Sequence, residues 1–215
     1  MANNVSIKKL ILVPALITLA ITLLRLIGEL QGWAPALFNK AAGGGGALVG
    51  IAWLVPIFGI YFGWKLAEAG ELPPSAGKAI GFAFLGLVLV PGAVVVAIKL
   101  VGVSPQGVGL VPVFAVASLV GAVITFLGWS ALGRVLLAYA LAARIPVVIV
   151  MLFAIFGNWG THYDVAGPGV PEMPPLMKWL MIGVLPQMTV WIWFTLVLGA
   201  LTGSITAVVK GRVRL

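Results

Sequence analysis

The chemistry-bearing residues of this chain are few. Arg25 and Glu29 are four positions apart, so on a helix they share one face. Arg144 stands deep in a long apolar run, with Pro146 two residues on. The segment Asn158-Trp-Gly-Thr-His-Tyr-Asp164 holds the chain's one histidine, His162, next to Tyr163 and Asp164. Arg25 and Glu29 read first as an ion pair that lowers its own insertion cost. The alternative sets Glu29 opposite Arg144, or at the mouth of a pathway where a half-dry carboxylate carries protons. Arg144 carries two readings as well. As a structural group it ties a kinked helix to its neighbours and bonds the carbonyl that Pro146 leaves unpaired. As a functional group it meets a ligand or ion.

Metal chemistry is thin. His162 and Asp164 make two ligands, zinc takes three or four, and Glu29 and Glu172 would have to complete the set from elsewhere in the chain. One histidine cannot supply both axial ligands of a bis-histidine haem. The absence of cysteine excludes disulfides, thiolate metal sites, iron–sulfur clusters and thiol nucleophiles within the chain. There is no Gly-x-Ser-x-Gly elbow, zinc-protease His-Glu pair or P-loop; the Gly43–Gly46 run lacks the Lys-Ser/Thr that a P-loop needs. A serine hydrolase would need His162 as its base, with Ser104 the obvious partner. No catalytic, cofactor-binding or metal-binding residue is assigned, and the cofactor is unknown.

The elements that must hold these residues are membrane helices. Of 215 residues, 62% are hydrophobic and 8% charged, with a mean hydropathy of +1.19. A soluble domain carries about 25% charged residues. The apolar residues come in blocks of the length that crosses a bilayer, about 20 residues. The expected fold is an all-α integral membrane protein, a bundle of six transmembrane helices in one domain. The spans run about 10–30, 47–67, 79–99, 110–131, 135–156 and 185–208. Ala34–Lys40 is expected as a short helix ended by Gly43–Gly46. The link after the third span has turn composition, with Ser104, Pro105 and Gly107, and Gly133 with Arg134 is expected to turn the chain into span five. The last apolar block, Leu176–Val209, would be about 51 Å long as helix, against a hydrocarbon core of about 30 Å. Pro186 is expected to divide it into a short interfacial helix and the sixth span, with Lys178 and Trp179 as anchors. The run after Lys8 and Lys9 is too long for a signal-peptide core and reads as a retained first helix.

Each block holds a proline: Pro14, Pro56, Pro91, Pro112, Pro146 and Pro186. These fit the general frequency of proline in membrane helices, or a set of kinks lining a transport site.

The basic residues orient the bundle. With the N-terminus inside, the cytoplasmic side holds Lys8, Lys9, Lys65, Lys78, Arg134, Lys210, Arg212 and Arg214, and the outer side Lys40, Lys99 and Lys178. Both termini are then cytoplasmic, in a cell membrane. The net charge of +8 is spread singly at block ends, not in the clustered stripe of a nucleic-acid-binding face. In this topology Glu29, Trp33, Asn39 and the Asn158–Asp164 run fall on the outer side, an arrangement expected to form a site or docking surface. Small residues four apart recur: Gly46/Gly50, Gly59/Gly63, Ala117/Gly121, Ala138/Ala142 and Gly199/Gly203. They suit close helix packing, within the chain or with another subunit. The partners implied are the lipid bilayer and other membrane subunits or further copies of the chain, with no nucleic acid. Three function classes follow. The first is a non-catalytic subunit or scaffold of a larger membrane complex. The second is a small permease or channel using Arg25, Glu29 and Arg144. The third is a membrane enzyme acting on lipid.

Overall fold

In a computed structural model, residues 5–104 and 109–210 are described. Arg212 and Arg214, expected on the cytoplasmic side, lie outside them, as do Pro105 and Gly107 of the link after the third span. The described residues are helical and turn, with no strand. In chain order come α1 (Ile7–Leu30), α2 (Leu54–Glu68), α3 (Ala76–Val96), α4 (Val111–Gly128), α5 (Ser130–Gly157), α6 (Pro175–Lys178), α7 (Leu185–Met188) and α8 (Val190–Val209). A π-helical turn, Ala97–Val101, extends α3. Five helical stretches among the described residues are long and apolar enough to cross a membrane: Ile7–Leu30, Ala76–Val101, Val111–Gly128, Ser130–Gly157 and Pro175–Val209. Large apolar side chains face outward along them, Val13 at 60% and Val123 at 65% exposed. In water such a surface would aggregate; in lipid it is the solvent-facing side. The protein is a multi-pass helical membrane protein.

The expected second span is shortened. The helix starts at Leu54, not Ala47, and α2 has 15 residues. Pro56 has no amide hydrogen to give and crowds the carbonyl four residues back, so a helix starts readily just before it. Ahead of it the chain is irregular, with Gly43, Gly44 and Gly46 at φ of 70°, 73° and 79°. The expected helix over Ala34–Lys40 is absent; those residues form turns, and a single 3-10 turn spans Ala42–Gly44. The turn into α5 also moves. Trp129, at φ −149° and ψ 89°, breaks the path, so α5 begins at Ser130 and Gly133–Arg134 lies within it. Trp129 donates its indole N–H to the Glu71 carbonyl at 3.0 Å, which anchors the break.

The last span differs from a helix cut at Pro186. α6 passes into a π-helical segment, Trp179–Val184, and on through α7; the discontinuity falls at Thr189, φ −115° and ψ −75°. Trp179 donates to the Val148 carbonyl of α5 at 3.0 Å, so its indole N–H is turned to protein.

Small residues set the helix spacing inside the bundle. Gly59 and Gly63 of α2 meet Gly199 and Gly203 of α8 backbone to backbone, and a Cβ on Gly59 would lie 2.7 Å from the Gly199 Cα and carbonyl. Gly86 of α3 meets Gly121 of α4 in the same way, and Trp193 donates to the Gly86 carbonyl at 2.8 Å. Gly59→Leu is therefore expected to cost about 1–3 kcal/mol through overpacking. Gly81→Ala, where a Cβ meets nothing, is expected to be neutral or to gain about 0.5–1 kcal/mol. Thermal unfolding in mild detergent checks both, and equal melting temperatures for the two variants would contradict the packing.

Candidate functional site

The site begins with α1. Thr18 and Thr22 fold their hydroxyls back onto the carbonyls four residues earlier, at 2.8 and 2.9 Å, so neither is left unpaired in the bundle. Tyr139 of α5 meets the Thr18 hydroxyl at 2.8 Å and packs edge-on against Phe58 and Phe62 of α2. This cluster fixes α1, α2 and α5 relative to one another and sets the height of Arg25, Glu29 and Arg144.

At the end of the bundle where α1 and α5 finish, α5 stops in a left-handed cap: Asn158 has φ 48° and Gly160 φ 63°. Asp164 then closes the turn. Its Oδ2 accepts from the Gly160 amide at 2.9 Å, and its Oδ1 from the Thr161 amide and hydroxyl, both at 2.7 Å. The turn carries His162 to Glu29. The His162 amide donates to Glu29 Oε2 at 2.9 Å, and its Nδ1 lies 2.6 Å from Oε1. Arg25 Nε donates to the same Oε1 at 2.8 Å. Glu29 is fully buried.

Glu29 thus pairs with Arg25, as its spacing suggests, and gains a second partner that the sequence places on the same side without specifying contact. It does not stand opposite Arg144. Asp164 is a positioning residue, its carboxylate spent on its own turn. Among the described residues no three His, Asp or Glu side chains converge as a metal site requires.

Because a carboxylate only accepts, Nδ1 of His162 carries the proton. Burial lowers the pKa of His162 below its ordinary value. The Glu29 hydrogen bond works the other way, Arg25 adds to the lowering, and Asp164 opposes it. The ring is neutral near pH 7. An unfolded histidine takes up a proton below about pH 6.5, and the folded one resists it. The unfolded state therefore binds more protons in that window, so the histidine's contribution to stability is present above about 6.5 and is lost as pH falls toward the folded value. The melting temperature of the parent is expected to drop between pH 7.5 and 5.5 more than that of His162→Gln; parallel curves would refute the assignment. Tyr163, its ring tilted against that of His162 with centroids 3.8 Å apart, donates its hydroxyl to the Thr22 carbonyl at 3.2 Å. Burial holds its pKa well above the ordinary phenol value, so it remains a donor.

Arg25 is well partnered. Beyond Glu29, its guanidinium donates to the carbonyls of Asn39 and Gly44 at 3.1 and 3.0 Å, drawing the irregular 39–50 segment over the end of α1. Gly44 is required there: its φ is positive, and a Cβ would come within 2.9 Å of the His162 ring.

Arg144 is different. It is 4% exposed, and no acidic side chain pairs with it among the described residues. It makes one long hydrogen bond to Gln187 Oε1 of α7 at 3.4 Å, and lies 4.5 Å from the centre of the Trp191 ring. Its Nε has no partner. The bond expected toward the carbonyl that Pro146 frees is not formed.

Arg144 lines a cavity of about 500 Å³ together with Arg25, Thr22, His162, Gln187 and Trp191. Ile51, Val147, Met151 and Ile182 supply apolar wall, and the Ala42–Gly44 turn and residues 50–53 another side. Sequence reading missed Gln187, Trp191 and this glycine turn. The available signal was a lone amide after Pro186 in an apolar block, with a tryptophan one helical turn on.

A multi-pass helical bundle with a cavity lined by two arginines is the class that fold and site define. No protein-family model matches the chain, and no curated protein or solved structure is detectably similar to it.

Proposed function

We propose that this protein binds a small organic anion in the cavity beside Arg144, as the substrate site of a small permease. The observation that carries the reading is Arg144 itself. A guanidinium at membrane depth is costly, and burying a charge without a paired partner is costly anywhere. Here the guanidinium lines the cavity without an acidic partner, and its buried Nε has no hydrogen bond. An anionic carboxylate or phosphate supplies the fork-shaped acceptor that Arg144 lacks. Irregular backbone at 42–53 and the broken helix at Thr189 lie where such a site is found, since non-helical backbone at this depth is tolerated where it lines a cavity.

In this reading the chain crosses the membrane six times with both termini cytoplasmic. α2 supplies about 22 Å of helix at 1.5 Å per residue, and the 42–53 segment completes the crossing. Lys40 and Lys178 then lie outside and Lys8, Lys65 and Lys78 inside, in a cell membrane. The cavity belongs to the outer half.

A subunit role in a larger complex draws less support from the small-residue pairs, because Gly59, Gly63, Gly121, Gly199 and Gly203 are used within the chain. It keeps one observation: Gly77 and Gly81, four apart on α3, face open space. An enzyme acting on lipid would use the Glu29–His162 pair as its base in the same cavity.

The test is thermal stabilisation of the full chain in a non-ionic detergent by glycerol 3-phosphate, since a ligand that binds only the folded state raises its melting temperature. Saturable stabilisation that disappears in Arg144→Gln is expected. No stabilisation of the parent, or an equal effect in the variant, would sink the reading.

A further inference from the structure

The cavity does not end at its polar wall. A second hollow, about 250 Å³ and almost wholly apolar, lies between the start of α4 and the last span, walled by Phe114, Ala115, Leu185, Thr189 and Val190. Val111, Met181 and Pro186 line both spaces, so the two adjoin. The hollow sits where the last span is irregular: the π-helical segment ends at Val184, Pro186 lies in the first turn of α7, and Thr189 breaks the path. Apart from the buried Thr189, its wall residues are only partly buried, and the neighbouring α4 side chains Val116 and Leu119 are exposed at 62% and 54%. A basic chamber thus continues into an apolar groove on the lipid-facing side of the bundle.

We propose that the occupant is a single-chain lipid with an anionic headgroup, which enters sideways from the bilayer. Its headgroup sits at Arg144 and its acyl chain lies along Ala115, Leu185 and Val190. A water-soluble anion would use only the chamber and leave the groove without a role. A neutral lipid would fill the groove and leave Arg144 without its acceptor. An acyl-chain anion uses both, and apolar burial in the groove adds to the charge-assisted bonds in the chamber. The proposal deepens the reading of the cavity as an anion site and rests on it.

The experiment is photolabelling of the full chain in maltoside micelles with a lysophosphatidic acid that carries a diazirine at mid-chain, followed by peptide mapping. Labels are expected in the segments that hold Phe114–Ala115 and Leu185–Val190. Excess unlabelled oleoyl lysophosphatidic acid should suppress them, while monoolein, with the same chain and no charge, should not. Arg144→Gln should reduce them at least tenfold. Ala115→Trp, which fills the groove, should reduce them similarly, and Val88→Trp on the exposed face of α3 should not. Labels spread evenly over the lipid-exposed faces of α1 and α3 would overturn the proposal, as would competition by monoolein equal to that by the anionic lipid. In either case stabilisation by glycerol 3-phosphate still reports on the chamber. Arg144-dependent stabilisation without groove labelling would keep the anion site and remove the lipid; loss of both would remove the anion site as well.

Discussion

Arg144→Met is expected to leave the protein as stable as the parent or more so, while weakening anion binding roughly 10–100-fold. The two halves of that expectation come from different physics. Within the protein the guanidinium has one long bond to Gln187, an aromatic face at Trp191 and an Nε without a partner. Replacing buried ionic groups with well-packed apolar ones of similar volume is often neutral, or stabilising by about 1–4 kcal/mol. Methionine adapts to the slot, and its sulfur tolerates the Trp191 ring. Binding loses a charge-assisted hydrogen bond, about 1.5–3 kcal/mol or roughly 10–100-fold in affinity. Arg144→Lys keeps charge without the planar fork and should retain part of the binding. Melting temperature and glycerol 3-phosphate affinity, measured on the same samples, separate the roles. A variant that unfolds more easily than the parent would mark Arg144 as a structural tie.

Glu29→Ala should behave in the opposite way. Its carboxylate accepts from Arg25, from the His162 ring and from the His162 amide, and is closed to solvent. Removing it takes the buried carboxylate from the Arg25 guanidinium, which keeps only carbonyl partners, and leaves both His162 donors without theirs. Breaking a buried pair from one side costs about 3–5 kcal/mol, a large share of the 5–15 kcal/mol that stabilises a typical domain. The variant is expected to yield little folded protein. Glu29→Gln keeps an acceptor oxygen and should fall between. The readout is the fraction of monodisperse protein after extraction, with thermal unfolding where enough survives. If Glu29→Ala melts with the parent, the cluster does not hold this end of the bundle together.

Much of the frame is legible from residue types, and its failures have physical causes. α1 and the end of α5 lie close to their expected places because their apolar runs are long and bounded by polar residues. The depth of Arg144 follows from its position in the run, and its burial from the cost of facing lipid. The second block misled because hydropathy measures partition into lipid and does not register that glycines at positive φ and Pro56 work against a helix. The start of α5 misled because Gly133 resembles a turn residue, whereas the break is set by a tryptophan with a distant carbonyl partner. At the site, the Arg25–Glu29 pair follows from i,i+4 geometry, and the shared side of His162 and Glu29 from topology. Their contact depends on the Asp164 turn and the left-handed cap at Asn158. Gln187 and Trp191 depend on where the last span breaks. These are tertiary facts with no periodic signal in the chain.

The Glu29–His162 contact joins residues separated by 133 positions, and that separation fixes an order of events during synthesis. At about 5–20 residues per second, α1 waits roughly 7–27 s after it is made before His162 exists. Through that interval Arg25 is the one partner of Glu29 within its own helix. The i,i+4 pair is then an escort for a helix inserted early, and the histidine turn arrives as a latch that closes the first helix against the fifth. A chain stalled before the latch is made already holds α1 to α5 through the Thr18–Tyr139 contact, but leaves Glu29 with Arg25 alone.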